Sequence, residues 1–269
     1  MNKQHSLYGW IAGLAVAACL ATACRGPVTH EFRSPPGPPA SANTAEIEEG
    51  EPMLPADALE ALDRARNQPP ASWPGTGWQV LWDCRSWSGW YVIPYAGRGA
   101  VELQDGVLVM GMGSPFTGVR YTNDFPHTNY EIALEAARLS GSDFFCGLTV
   151  PVGDSHCSLI VGGWGGGLVG ISSLDGYDAS ENETTTFHRF EKGRWYRIRM
   201  RVTPARLEAW IDDEQVVNVN IEGRRISVRP GDIEECIPLG ISCWQTAAAI
   251  RNVRWRPVTG PASPPPRRF

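Results

Sequence analysis

The chain has 269 residues, 42% of them hydrophobic, which is enough for one large domain or two small ones with a full core. Its net charge is −5 and it has no basic block beyond the pair Arg267 and Arg268, which argues against nucleic acid as a partner. Glycine (29), proline (22) and tryptophan (11) are plentiful, a balance that suits an all-β fold better than a helical one.

Lys3 opens a weakly basic start, and an apolar run rich in Ala and Gly extends from Leu7 to Ala23. Small residues precede two cysteines here, in VAAC ending at Cys19 and ATAC ending at Cys24. The segment resembles a bacterial lipoprotein signal, in which cleavage before a cysteine leaves that residue to carry lipid. Cys24 is the expected lipidation site, because it leaves a more ordinary signal length and opens into a polar linker; Cys19 matches nearly as well. An uncleaved membrane anchor and a plain secretory signal are the alternatives. Under each of them the domain is exported, to the periplasm, the outer membrane or elsewhere in the cell envelope, where disulfides are permitted. Lipidation adds the membrane as a partner.

With residues 1–23 set aside as signal peptide, residues 24–76 read as a linker, Pro-rich and stiff at RSPPGPPAS and NQPPASWPGTG. Within it PADALEALDRAR carries Leu59 and Leu62 at helical spacing, acids early and arginines late, and predicts one short helix. Residues 258–269 form a Pro-rich tail that composition marks as disordered.

Residues 77–257 alternate, with frequent turns. VELQDGVLVMG reads strand, turn, strand about Asp105-Gly106. YEIALEAARL sets Ile132 and Leu134 against Glu131, Ala133 and Glu135. WYRIRMRV sets Tyr196, Ile198, Met200 and Val202 against Trp195, Arg197, Arg199 and Arg201, and LEAWID puts Leu207, Ala209 and Ile211 on one face. A turn at Thr203-Pro204-Ala205 places Glu208 roughly opposite Arg199 and Trp210 opposite Arg197, a charge pair and a cation–π pair across the strands. QVVNVNI, PLGISCW and IRNVRW supply further strands, and helical periodicity ends at about residue 70. The pattern predicts a sandwich of two antiparallel sheets, with a barrel as the lesser option.

In SDFFCGLTVPVGDSHCSLIVGGWGGG, alternation puts Phe144, Cys146, Leu148 and Val150 on one face and Cys157, Leu159 and Val161 on the matching face of the return strand. A turn at Val152-Gly153 brings Cys146 and Cys157 near each other on the core side, either as a cross-strand disulfide or as two buried thiols. The other face carries Asp143, Phe145, Thr149, His156 and Ser158, and Trp164 projects from the glycine turn. An aromatic platform beside short polar side chains suits a sugar; a solvated hairpin with Trp164 covering a neighbouring loop is the plainer alternative. The loop LDGYDASENET adds Asp175, Asp178, Glu181, Asn182 and Glu183. Its oxygens could hold Ca²⁺ or a similar divalent ion, although the EF-hand spacing is missing and an acidic surface loop is the plainer alternative.

The sequence has no G-x-S-x-G elbow, no H-E-x-x-H and no P-loop. YEIALE is similar to the E-x-D-x-x-E strand of jelly-roll retaining glycosidases, but Ala133 stands where the aspartate is needed. Glu131 and Glu135 lie four strand steps apart, roughly 13 Å, too far for either two-carboxylate geometry.

Taken together, GWQVLWDCRSWSGWYV, ELQDGVL, YEIALEAARLSGSDFFCGLTVPV, GRWYRIRMRVTPARLEAWIDDEQV and GISCWQTAAAIRNVRW resemble the 3-keto-disaccharide hydrolase domain family. The resemblance covers about Gly77 to Pro257 and implies a concanavalin A-like jelly roll. It also implies a hydrolase acting on glycosides and disaccharides whose C3 hydroxyl is oxidised to a ketone. The ketone acidifies the C2 proton, so one base, donors for the enolate and an acid for the leaving oxygen suffice for elimination and rehydration. On that chemistry His156 is the expected base, Asp143 orients it or binds a metal, and Asp175, Asp178, Glu181 and Glu183 could supply metal ligands. Trp164, Ser158, Trp244 and Gln245 are the expected sugar contacts. A non-catalytic carbohydrate-binding envelope lipoprotein, and a structural or adhesion domain, are the competing functions.

Overall fold

The computed structural model describes residues 54–258. The signal segment with Cys19 and Cys24, most of the linker, and the tail from 259 onward lie outside the described residues.

The described chain opens with helix α1 (Ala56–Arg66) and continues as β1 (Gln79–Trp82), β2 (Trp90–Val92), β3 (Val101–Gln104), β4 (Val107–Met110) and β5 (Phe116–Tyr121). Then follow β6 (Tyr130–Gly141), β7 (Cys146–Val152), β8 (Ser155–Gly163), β9 (Leu168–Ser172) and β10 (Thr186–Phe187). The last five are β11 (Tyr196–Val202), β12 (Arg206–Ile211), β13 (Glu214–Asn220), β14 (Leu239–Trp244) and β15 (Thr246–Pro257), with a 3-10 turn at Asp232–Cys236 before β14. A back sheet runs β13-β12-β11-β6-β15-β4-β3, with β1 also on β15; a front sheet runs β10-β9-β8-β7-β14-β5-β2. All named pairings are antiparallel. The chain is an all-β jelly-roll sandwich of two sheets, the fold expected.

The core lies between the sheets. Ile132, Leu134, Ile198, Met200, Leu207 and Ile211 from the back sheet meet Leu148, Val150, Leu159 and Val161 from the front sheet, all buried. Strict period-2 alternation is why these positions coincide. Phe144 departs from the expectation. Residues 142–145 are irregular and the strand begins only at Cys146, so the alternation does not extend back to Phe144. Phe145 takes the core position, and Phe144 packs on the outer face of the front sheet.

Turn geometry also moves two registers. Val152 pairs with Ser155 about a turn at Gly153-Asp154, so Cys146 faces Val161 and Cys157 faces Val150. The two cysteines are therefore four positions out of register, roughly 13 Å along the strands, beyond the reach of a disulfide. Both are buried free thiols. In the later hairpin, Thr203 closes on Arg206, its amide donating to that carbonyl at 3.0 Å. Arg199 consequently faces Trp210 and Arg201 faces Glu208, one alternate position on from the expected partners. The chemistry of the pairs is kept: the Arg199 guanidinium lies 3.7 Å from the Trp210 ring centroid, and Arg201 is 3.3 Å from Glu208.

Helix α1 packs on the outer face of the back sheet. Its buried side is Ala58, Ala61, Leu62 and Ala65, set against Val109, Leu139, Trp195 and Ala249, whereas Leu59 faces solvent. Small residues let the helix lie close. The Trp195 indole N–H donates to the Ala65 carbonyl at 2.8 Å, and a Cβ at Gly193 would come within 2.6 Å of the Ala61 carbonyl oxygen. Two fully buried carboxylates share this outer face. Glu131 is held by Arg199 (3.0 Å), Arg201 (2.7 Å) and Arg256 (2.6 Å). Glu135 is held by Arg251 (3.1 Å) and Asn252 (3.1 Å).

Candidate functional site

The front sheet is hollowed on its outer face into a cleft of about 440 Å³. The floor is apolar: Phe116 from β5, Phe144, Ile160 from β8 and Trp244 from β14. Phe116 meets Trp244 edge-on with ring centroids 4.7 Å apart, and lies 6.0 Å from Phe144. Phe144 lies low because β7 offers it a glycine: a Cβ at Gly147 would stand 3.0 Å from the Phe144 ring.

Three segments wall this floor. The acidic loop contributes Asp178, beside Ser172 at the end of β9. Its shape is set by the Asn182 side-chain amide, which donates to the carbonyls of Ile171 (2.8 Å) and Asp178 (2.7 Å). The loop ahead of β14 contributes Arg229, Pro230, Gly231, Asp232 and Ile233. Arg229 and Asp178 join the two loops through an ion pair of 2.8 Å. The third wall is the glycine turn after β8. There Trp164 adopts φ 45° and stays 43% exposed, presenting its ring at the cleft.

Asp143 sits where the turn meets the floor. Its Oδ1 accepts the Phe144 amide at 2.7 Å. Burial pushes its carboxyl above the usual aspartate value, while the amides of Phe144 and Trp164, the Arg138 charge and the Gly165 amide pull it back. A half-desolvated carboxylate thus stands beside an exposed indole and an apolar floor, in one cleft with an arginine. That set can hold a sugar ring and move a proton on carbon.

Residues 77–256 match the model of the 3-keto-alpha-glucoside-1,2-lyase-like domain. The chain belongs to this family. No curated protein sequence matches it. Among solved structures the lyase-like domain is similar to the Crh5 transglycosylase in complex with NAG, at 10% identity and TM-score 0.46, covering 72% of this chain and 89% of that one. It is similar to the Bacillus licheniformis beta-glucanase, at 8% identity and TM-score 0.46, covering 70% of this chain and all (100%) of that one. It is also similar to the carbohydrate-binding module CBM66 from Bacillus subtilis, at 13% identity and TM-score 0.42, covering 62% and 95%.

Of the residues singled out from sequence, the cleft of the lyase-like domain brings together Asp143, Trp164, Trp244 and Asp178. His156 lies elsewhere. It pairs with Pro151, five strand steps beyond Cys146, so about 16 Å separates it from even the near end of that strand. Its neighbour is His127, with ring centroids 6.1 Å apart, and burial followed by that second imidazole lowers its pKa. Ser158 is buried with its hydroxyl against Thr149 at 2.8 Å, and Gln245 is exposed in the turn before β15, its amide given to the Pro115 carbonyl at 2.8 Å.

The acidic loop does not gather its carboxylates. Asp175 pairs with Arg224 at 2.7 Å and accepts the Arg225 amide at 2.8 Å, Glu183 pairs with Arg224, and Asp178 goes to Arg229. Glu181 accepts the Asp178 amide at 3.4 Å. Among the described residues no group of three or more His, Cys, Asp or Glu side chains is placed to hold a metal ion. Sequence reasoning missed Phe116, Phe144 as a cleft residue, Ile160, Ser172 and the whole Arg229–Ile233 wall. RPGD announces a turn, but nothing local says that the turn folds over the front sheet.

Proposed function

We propose that the cleft takes a glycoside oxidised to a ketone at C3 and cleaves it by elimination, followed by addition of water. The observation that carries this is Asp143, a carboxylate lifted by burial, set between the aromatic floor and Trp164 in the cleft that Arg229 also lines. The Asp143 carboxylate removes the C2 proton, and the electron pair moves onto the C3 oxygen as an enolate. Arg229 donates N–H to that oxygen. The enolate collapses and expels the C1 substituent, whose oxygen takes up a proton, leaving a C1–C2 double bond. Water adding across that bond gives the free 3-keto sugar. The base role falls to Asp143 rather than His156 because His156 lies outside the cleft lining.

The test is turnover of a 3-keto-α-glucoside in deuterated water. Elimination leaves solvent deuterium at C2 of the sugar product, whereas direct hydrolysis leaves none. Asp143→Asn is expected to lower kcat by roughly 10²–10⁴, and Trp164→Ala to raise KM with the fold intact. A second reading, a carbohydrate-binding module without catalysis, draws on the same exposed indole and aromatic floor. Saccharide binding that needs Trp164, without turnover of any 3-keto-glycoside, would favour it.

Export with lipid on Cys24 belongs to the same proposal and is supported by the ATAC motif ahead of a polar linker. Mass spectrometry of the mature amino terminus checks it; a chain retaining Met1 would remove it.

A further inference from the structure

Arg138 is a buried cation that the elimination chemistry does not use. It stands on β6, is 6% exposed, and among the described residues its side chain contacts no carboxylate. One terminal nitrogen, Nη2, donates to three carbonyl oxygens: Asp143 at 3.1 Å, Gly162 at 3.0 Å and Gly166 at 2.8 Å. Its Nε is buried without a partner, and its guanidinium lies 5.0 Å from the Phe145 ring centroid. It also lies 5.8 Å from the Phe190 ring centroid. A buried cation is weak evidence of a stabilising role, since apolar replacements of similar volume are often neutral or better.

The three carbonyls belong to two segments, the irregular stretch that carries Asp143 and the end of β8 with the glycine turn that follows it and carries Trp164. The turn is shaped to admit the guanidinium. A Cβ at Gly162 would lie 2.4 Å from Nη2 and one at Gly166 would lie 3.1 Å from Nη1; both residues have positive φ, 83° and 102°.

We infer that Arg138 is a positioning residue, which fixes the spacing between Asp143 and Trp164 and presents its charge to the Asp143 carboxylate. The inference deepens the proposed function and rests on it for its catalytic meaning. Arg138 favours the ionised form of Asp143 against the burial that opposes it. The other charged groups of the cleft are Asp178, Arg229 and Asp232, and Tyr196 acts on Arg138 itself.

The experiment is a carbon NMR titration of the aspartate carboxyls in the full chain, assigned with Asp143→Asn, together with saccharide affinity and steady-state kinetics. In Arg138→Met, Asp143 should titrate at higher pH than in the wild type. In Arg138→Lys, which keeps the charge but not the planar fork, the titration should stay near wild type. Met offers the three carbonyls no donor, so saccharide affinity should fall about tenfold there and kcat/KM by about 10²-fold, whereas the Lys ammonium, with three donors on one nitrogen, should restore part of both. An unchanged titration and unchanged affinity in folded Arg138→Met would overturn the inference. If Arg138→Met does not fold, Arg138→Gln decides, since it removes the charge but keeps a polar head: wild-type titration and wild-type affinity there overturn the inference as well. A wild-type chain that turns over no 3-keto-glycoside would remove the proposed function, yet the titration would still decide whether Arg138 acts on Asp143.

Discussion

Asp178 and Arg229 meet at 2.8 Å and tie the acidic loop to the loop ahead of β14, so that one ion pair closes two walls of the cleft. The aspartate side is the less exposed, at 14%, and the arginine the more, at 62%. A pair this open contributes little to folding, about 0–1 kcal/mol. In the proposed reaction its use is to aim Arg229. Arg229→Ala should therefore leave the melting temperature nearly unchanged and lower kcat on a 3-keto-glucoside by about 10²-fold or more, the usual worth of a donor to a developing oxyanion. Full activity in Arg229→Ala would assign the enolate to another donor.

The base role proposed for Asp143 requires its ionised form. Its carboxyl is raised above the usual aspartate value, chiefly by burial, so kcat/KM should fall on the acid side through a pKa above that value. The stability linkage runs the other way. A carboxyl raised in the folded state binds its proton more tightly there than in the unfolded chain. It therefore contributes stability below the unfolded aspartate pKa, and that contribution is lost as pH rises through the folded value. A pH series of melting temperatures on the wild type and Asp143→Asn isolates this term: the wild type should gain relative to the variant as pH falls through that window.

Glu131 faces three guanidinium groups and is fully buried. Glu131→Gln leaves those cations facing one another without a counter-charge and should destabilise the sandwich by about 3–5 kcal/mol. The carboxylate lies on the outer face of the back sheet, remote from the cleft, so saccharide affinity at low temperature should be unaffected. Denaturant unfolding beside a binding isotherm checks both halves. Activity lost in a still-folded Glu131→Gln would return this strand to consideration as a catalytic element.

The five cysteines of the described chain are buried thiols, and burial pushes Cys157 up to about 12. They should resist alkylation in the native protein and react in denaturant, and reducing agent should not change the melting temperature. A native mass lower by two hydrogens, from a Cys146–Cys157 bond, would contradict the observed register.

The alternation of WYRIRMRV and LEAWID was enough to place Ile198, Met200, Leu207 and Ile211 in the core, because both strands run without interruption. The faces were legible for the same reason in Thr149 and Ser158, which meet on the outer side of the front sheet. Parity fixes a face and nothing else. It cannot tell how far along a strand two residues stand, so His156 and Asp143 read as neighbours although Asp143 stands before the start of β7 and His156, on β8, pairs near its far end. Nor does parity survive an irregular segment, which is how Phe144 and Phe145 exchanged sides. Register depends on the turn, and one or two residues of turn length moved Cys157 away from Cys146 and Trp210 onto Arg199. Asp143, Trp164 and Trp244 were visible as polar and aromatic residues among glycines. Arg229 was not, because its place depends on a loop that crosses the sheet far from it in sequence.

Helix α1 ends ahead of residue 77, where the family match begins, yet it covers Val107, Val109, Ala137, Leu139, Trp195, Ala247 and Ala249. A shortened chain beginning at 77 would keep every strand and every cleft residue while laying bare a contiguous greasy patch on the back sheet. Patches of that kind drive self-association. Such a fragment should precipitate or form soluble aggregates when expressed, and poor behaviour on its part would reflect the missing lid of alanines rather than any weakness of the sandwich.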